Sequence, residues 1–136
     1  MILATEPSKT ESARHVVIIL TTGKSDQGKN ATLALSCGLS SLALGHSATL
    51  FLTSDGMVWG YERASQGVSI PGFPELELLL EQFLAQGGEL LLCSACQQSC
   101  VPHRSHPDYG PQLAQASLAG FTTVVERSVA GTCITF

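Results

Sequence analysis

Val16-Val17-Ile18-Ile19-Leu20 is an unbroken apolar, largely β-branched run, and it predicts a strand buried on both faces, as in the middle of a parallel sheet. After a polar loop at Thr21 to Gln27 the period lengthens. Leu35, Leu39 and Leu42 recur at helical spacing among the small residues Ala31, Ala34, Gly38 and Ala43. This predicts a helix over residues 28–44, capped by Ser25 or Asp26 and closed by Gly45, with small faces that allow close packing on a sheet. Ser47 to Thr53, SATLFLT, reads as the second strand.

Asp55-Gly56 ends that strand and opens an irregular stretch through Trp59 and Tyr61 to Gly72, long enough to wall a site or form an interface. From Pro74, at a first helical position, Leu76, Leu79, Leu80, Phe83 and Leu84 trace an amphipathic stripe that Gly87-Gly88 stops. Glu89 to Leu92 is a short third strand delivering Cys93 to its carboxyl end. A segment rich in Pro, His and Gln follows, then a helix predicted near Pro111 to Ala119. Phe121 to Val125 has strand composition, but Thr123 and Glu126 have capping-box spacing, which favours a short helix. Thr132 to Phe136 closes the chain as a strand.

This alternation predicts a three-layer α/β/α sandwich with a mostly parallel sheet of about five strands and right-handed crossovers. Residues 1–14 are polar, contain Pro7 and lack periodicity, so a flexible tail is expected before a single domain over residues 15–136. The chain shows no internal repeat.

Composition sharpens the picture. Charged residues make up only 13% of the chain, about half of the roughly 25% usual in soluble domains. With 44% hydrophobic residues a disordered chain is excluded, and so little charge leads us to expect that copies of the chain cover part of its surface. Seven basic against eleven acidic residues lack the footprint that phosphate neutralisation needs, so no nucleic acid partner is expected. No apolar run is long enough to span a bilayer, and MILATEPSKTESAR lacks the basic start and apolar stretch of a signal peptide. A cytoplasmic protein without a membrane span is expected.

In a reducing compartment, five cysteines with three in Cys93-Ser94-Ala95-Cys96-Gln97-Gln98-Ser99-Cys100 point to thiol chemistry or metal binding over a disulfide framework. Three uses compete. In sulfur or redox chemistry, Cys93 attacks a persulfide or disulfide sulfur and Cys96, one turn on, is the second thiol. In a metal-binding or regulatory module, Cys93, Cys96, Cys100 and His103 ligate zinc or an iron–sulfur cluster. In the third, the thiols are incidental. His103 and His106 are accessory candidates, as a base or as a cation lowering a thiol pKa. No cofactor is expected in the first reading, and zinc or an iron–sulfur cluster only in the second.

Cys37 and Cys133 lie in apolar segments and read as small buried hydrophobes. His15 and His46 abut strands and read as structural, while Trp59, Tyr61 and Phe73 read as packing residues or cleft wall. Gly23-Lys24-Ser25-Asp26-Gln27-Gly28-Lys29-Asn30 approaches the phosphate-cradling motif, but its last position supplies an amide where Mg²⁺ needs a hydroxyl. A structural turn or a pocket rim is the reading it favours.

The order of these segments resembles the DsrE/DsrF-like family. The resemblance rests on the strand His15–Thr21, the helix ending in Leu42-Ala43-Leu44-Gly45-His46, and the strand Ala48–Thr53 running into Asp55-Gly56. It continues through Leu90–Leu92 ending in Cys93 and the closing Gly120 to Phe136, about 120 of the 136 residues. It implies a small α/β protein assembling as a homo-oligomer, a trimer or hexamer. It also implies a persulfide carried on the strand-end cysteine, Cys93, and sulfur donor and acceptor proteins as partners, as in the family's sulfurtransferases. Cys96 and Cys100 depart from the family's simple pattern.

Overall fold

The buried run forms β1 (His15–Leu20) in the computed structural model, which describes residues 13–99 and 105–136. There follow α1 (Lys29–Ala43), β2 (Ser47–Leu52), α2 (Leu76–Ala85), β3 (Glu89–Cys93) and the short α3 (Ser94–Ser99). A small hairpin of β4 (Ser105–His106) and β5 (Gly110–Pro111) leads to β6 (Ala116–Ala119), α4 (Phe121–Val129) and β7 (Gly131–Thr135). The main sheet has the order β6-β3-β2-β1-β7, and every neighbouring pair is parallel.

The chain steps from β1 to β2, β3 and β6 in one direction, then returns across the sheet to lay β7 beside β1. Right-handed crossovers therefore put α1 and α2 on one face and α4 on the other. This is the three-layer α/β/α arrangement. On the first face, Leu20, Leu50, Leu52 and Leu90 meet Ala31, Leu35, Leu76 and Leu80. On the second, Phe51 packs edge to face on Phe121, with ring centroids 6.0 Å apart. Covering both faces is why β1 and the stretches Leu50 to Leu52 and Leu90 to Leu92 read as apolar runs.

Both ends of α1 are satisfied. The Asp26 carboxylate accepts the N–H groups of Gly28 and Asn30. At the other end Gly45, with φ of 92°, lets its own N–H reach the Leu42 carbonyl and that of His46 reach Ser41, a closure that needs a left-handed residue.

Two expectations are corrected. Ala116 to Ala119 is a strand paired with Leu90 to Cys93, where a helix was expected near Pro111 to Ala119. Its local sequence tolerates a helix, but the open edge of β3 offers a complete hydrogen-bond ladder, and tertiary pairing overrides a weak preference. Cys133 is exposed, not a core thiol, because β7 lies at the sheet edge with its side chains largely in solvent.

At the amino ends of the strands, His15, Thr49 and Glu89 share the α4 face. Arg127 grips Glu89 through two hydrogen bonds of 2.8 Å, and Thr49 donates its hydroxyl hydrogen to Glu89 at 2.6 Å. Thr49 therefore accepts from His15 Nε2–H, leaving Nδ1 to accept from Ser47. His46 is likewise structural, accepting the Arg14 N–H at 2.9 Å.

The Arg127 hydrogen bonds hold Glu89 down to about 2, and burial, then Arg127, lowers His15 from its usual value near 6.5. Both folded-state shifts are downward, so both contributions are present above the unfolded pKa and are lost on acidification. The Arg127 and Glu89 side chains are 34% and 36% exposed, so their contribution is about 1 kcal/mol, well below the full shift. Glu89→Gln is expected to remove that share of the stability lost below the ordinary carboxylate pKa of 4.5. Urea midpoints followed from pH 6 to pH 3 check this; identical pH profiles for variant and wild type would contradict it.

Candidate functional site

Because all five strands run the same way, the turns after β1, β2 and β3 meet at one edge of the sheet, where open α/β sheets place ligands. The turn after β2 is pressed onto the end of β1. Thr53 N–H donates to the Leu20 carbonyl at 3.1 Å, and Gly56 N–H to the carbonyls of Thr21 at 3.1 Å and Thr53 at 2.9 Å. A Cβ at Gly56 would overlap the Leu20 carbonyl oxygen, so only glycine fits.

Inside this turn Ser54 is left-handed, with φ of 54°, a conformation costing a side-chain-bearing residue about 1–2 kcal/mol. Its N–H donates to Cys96 Sγ at 3.2 Å, and Thr53 Oγ1 lies 3.3 Å from the same sulfur. An amide and a hydroxyl so placed stabilise negative charge on sulfur, the form in which cysteine is a nucleophile. Cys96 is half-buried in the first turn of α3, accessible while held. Thr53→Val, which keeps shape and removes the hydroxyl, is expected to slow alkylation of Cys96 by iodoacetamide at pH 7 roughly tenfold, the worth of one hydrogen bond to a charged group. Peptide-mapped alkylation rates measure it, and an unchanged rate would show that the hydroxyl does not serve the sulfur.

Cys93 is 0% exposed and belongs to the core. The sequence places both thiols at the end of β3, and the structure gives them different surroundings: Cys93 is sealed in the sheet and Cys96 faces the turn after β2. Cys37 is half-buried, and burial pushes its thiol up, which disfavours a thiolate there.

Cys100 and His103 lie outside the described residues. Among the described residues no three His, Cys, Asp or Glu side chains gather as a metal-binding group. The His106 ring sits with centroids 5.5 Å from Tyr61 and 4.7 Å from Tyr109, and its Nδ1 accepts the Asp108 N–H at 3.0 Å. Trp59 and Tyr61 are buried and Phe73 is exposed.

In the glycine-rich turn after β1, the N–H groups of Gly28 and Asn30, which a phosphate would use, are taken by Asp26. Lys24 donates to the Ala64 carbonyl at 2.5 Å and lies 5.0 Å from the Trp59 ring centre and 4.3 Å from that of Tyr109. The turn is a structural clasp.

No motif in the sequence marks Thr53, Ser54 and Gly56 as site residues. Their signal in the sequence is position, directly after the second strand, where Asp55-Gly56 ends the strand and opens an irregular stretch long enough to wall a site.

Among solved structures, the fold is similar to that of the ychN protein from E. coli. The TM-score is 0.62, with 16% identical residues over 91% of this chain and 99% of that one. No protein-family model matches the sequence, and no curated protein matches it. Among the described residues no helix is long and apolar enough to cross a membrane.

Proposed function

We propose that this chain is a sulfur carrier of the DsrE/DsrF-like kind, in which Cys96 accepts sulfane sulfur and passes it on. The observation that carries this reading is the half-buried Cys96 sulfur at the carboxyl edge of a parallel sheet, faced by the Ser54 N–H and the Thr53 hydroxyl. The segment order that resembles the family supports it, as does the fold shared with the ychN protein.

In the loading step the Cys96 thiolate attacks the outer sulfur of a donor persulfide, R–S–SH. The donor S–S bond breaks as the Cys96 S–S bond forms, R–S⁻ leaves with the electron pair, and the transferred sulfur keeps its hydrogen. No net oxidation occurs. An acceptor thiolate then attacks the outer sulfur of the Cys96 persulfide and regenerates the Cys96 thiolate. Ser54 and Thr53 stabilise the sulfur when it is the attacking group and again when it is the leaving group. In this reading Cys93 is the packed floor beneath α3.

The reading includes self-association. Phe121, Val125 and Val129, spaced four apart on α4, are 59%, 58% and 82% exposed, while Val124 faces the core. In a chain so poor in charge, this stripe is a contact between copies.

The test is incubation of the full chain with cysteine persulfide followed by intact-mass measurement. A gain of one sulfur atom per chain, removed by dithiothreitol, is expected; absence of any gain overturns the proposal.

A further inference from the structure

Between α2 and the segments 62–65 and 113–115 lies an open cleft of about 530 Å³. Leu80, Leu84 and Leu113 give it an apolar floor, and Glu62, Glu77 and Glu81 stand on its wall. Among the described residues the sole ion pair joins Arg127 to Glu89, and these three carboxylates take part in none. Glu77 and Glu81 are one helical turn apart, an arrangement of like charges that weakens a helix by a few tenths of a kcal/mol when nothing offsets it.

A second cleft, of about 450 Å³, adjoins the first and shares Leu113 and Ala114 with it. It passes Ala116 and the half-exposed Leu118 to Gln97, the residue after Cys96. Gln97 is fixed there by donating to Gln112 at 2.9 Å. The two clefts make a track from an acidic, apolar-floored groove to Gln97 on α3, the short helix that also carries Cys96.

We infer that the α2 cleft docks a basic amphipathic segment of the protein that exchanges sulfur with Cys96. The inference rests on the sulfur-carrier reading for the partner's role, and on the groove alone for its chemistry. Lysines or arginines of the segment meet the three carboxylates, and its apolar side chains cover Leu80, Leu84 and Leu113.

The probe is a fluorescein-labelled peptide with one leucine face and one lysine face, compared with its glutamate counterpart, on the full chain by anisotropy. The lysine peptide is expected to bind and the glutamate peptide not. Affinity should fall steeply with salt, and Glu77→Gln combined with Glu81→Gln should weaken it roughly tenfold. Cys96→Ser should bind the peptide as the wild type does, and the double glutamine variant should still load sulfur from cysteine persulfide. These two controls separate failure of the groove from failure of the thiol reading. Equal affinity for the wild type and the double variant overturns the inference. So does a fall in sedimentation coefficient of the double variant, which would assign the groove to another copy of this chain.

Discussion

Cys96→Ser is expected to take up no removable sulfur from cysteine persulfide, whereas Cys93→Ala is expected to load as the wild type does. The contrast follows from the surroundings of two thiols three residues apart. Cys93 is sealed by the core, so an incoming persulfide has no approach without opening the sheet end. Alanine leaves only a small void there, costing about 1 kcal/mol and sparing the fold. Cys96 has solvent access on one side and two stabilising groups on the other. Its replacement by serine substitutes a hydroxyl that is not ionised at neutral pH, and loading should fall by roughly three orders of magnitude or more. Intact-mass time courses on both variants decide it. Loading by Cys96→Ser together with loss in Cys93→Ala would reverse the assignment and require the end of β3 to open.

Gly56→Ala is expected to be the most damaging single-methyl change near the site, at about 2–3 kcal/mol. The new carbon would overlap the Leu20 carbonyl oxygen, a backbone atom at the end of β1 that cannot rotate away as a side chain can. The turn must therefore lift. Lifting strains the bonds from Gly56 N–H to Thr21 and from Thr53 N–H to Leu20, and it draws the Ser54 N–H away from Cys96. Two readouts should move together: a lower urea midpoint and slower alkylation of Cys96. A full-strength midpoint would show that the turn does not bear on the strand end as described.

Much of the fold is legible because it rests on local periodicity. β1, β3 and α2 announce themselves through apolar runs and a helical stripe, β2 through the strand composition of residues 47–53, and the Thr123 and Glu126 spacing favours α4 over a strand. Residues 116–119 do not, because their conformation is set by a partner strand more than twenty positions away, Leu90 to Cys93. Exposure of Cys133 is hidden for a related reason: composition shows a strand but not whether a neighbour covers it.

The candidate site divides in the same way. The Cys93 and Cys96 spacing is visible, and so is their place at a strand end. Which of them meets solvent depends on where β3 gives way to α3, a matter of one residue. The groups that serve Cys96, Thr53 and Ser54, are 43 and 42 positions away. No local pattern joins them.

The placement of β7 beside β1 bears on how the protein is made. β1 leaves the ribosome before the other six described strands, yet one of its edges stays unpaired until residues 131–135 have emerged, and Phe136 then ties to Thr21 across 115 positions. During that interval a flat apolar edge is open to other nascent chains, the situation in which aggregation competes with folding. The strand that completes the sheet is the last of the seven to be made, so β1 waits longest for its second partner while the chain is still being synthesised.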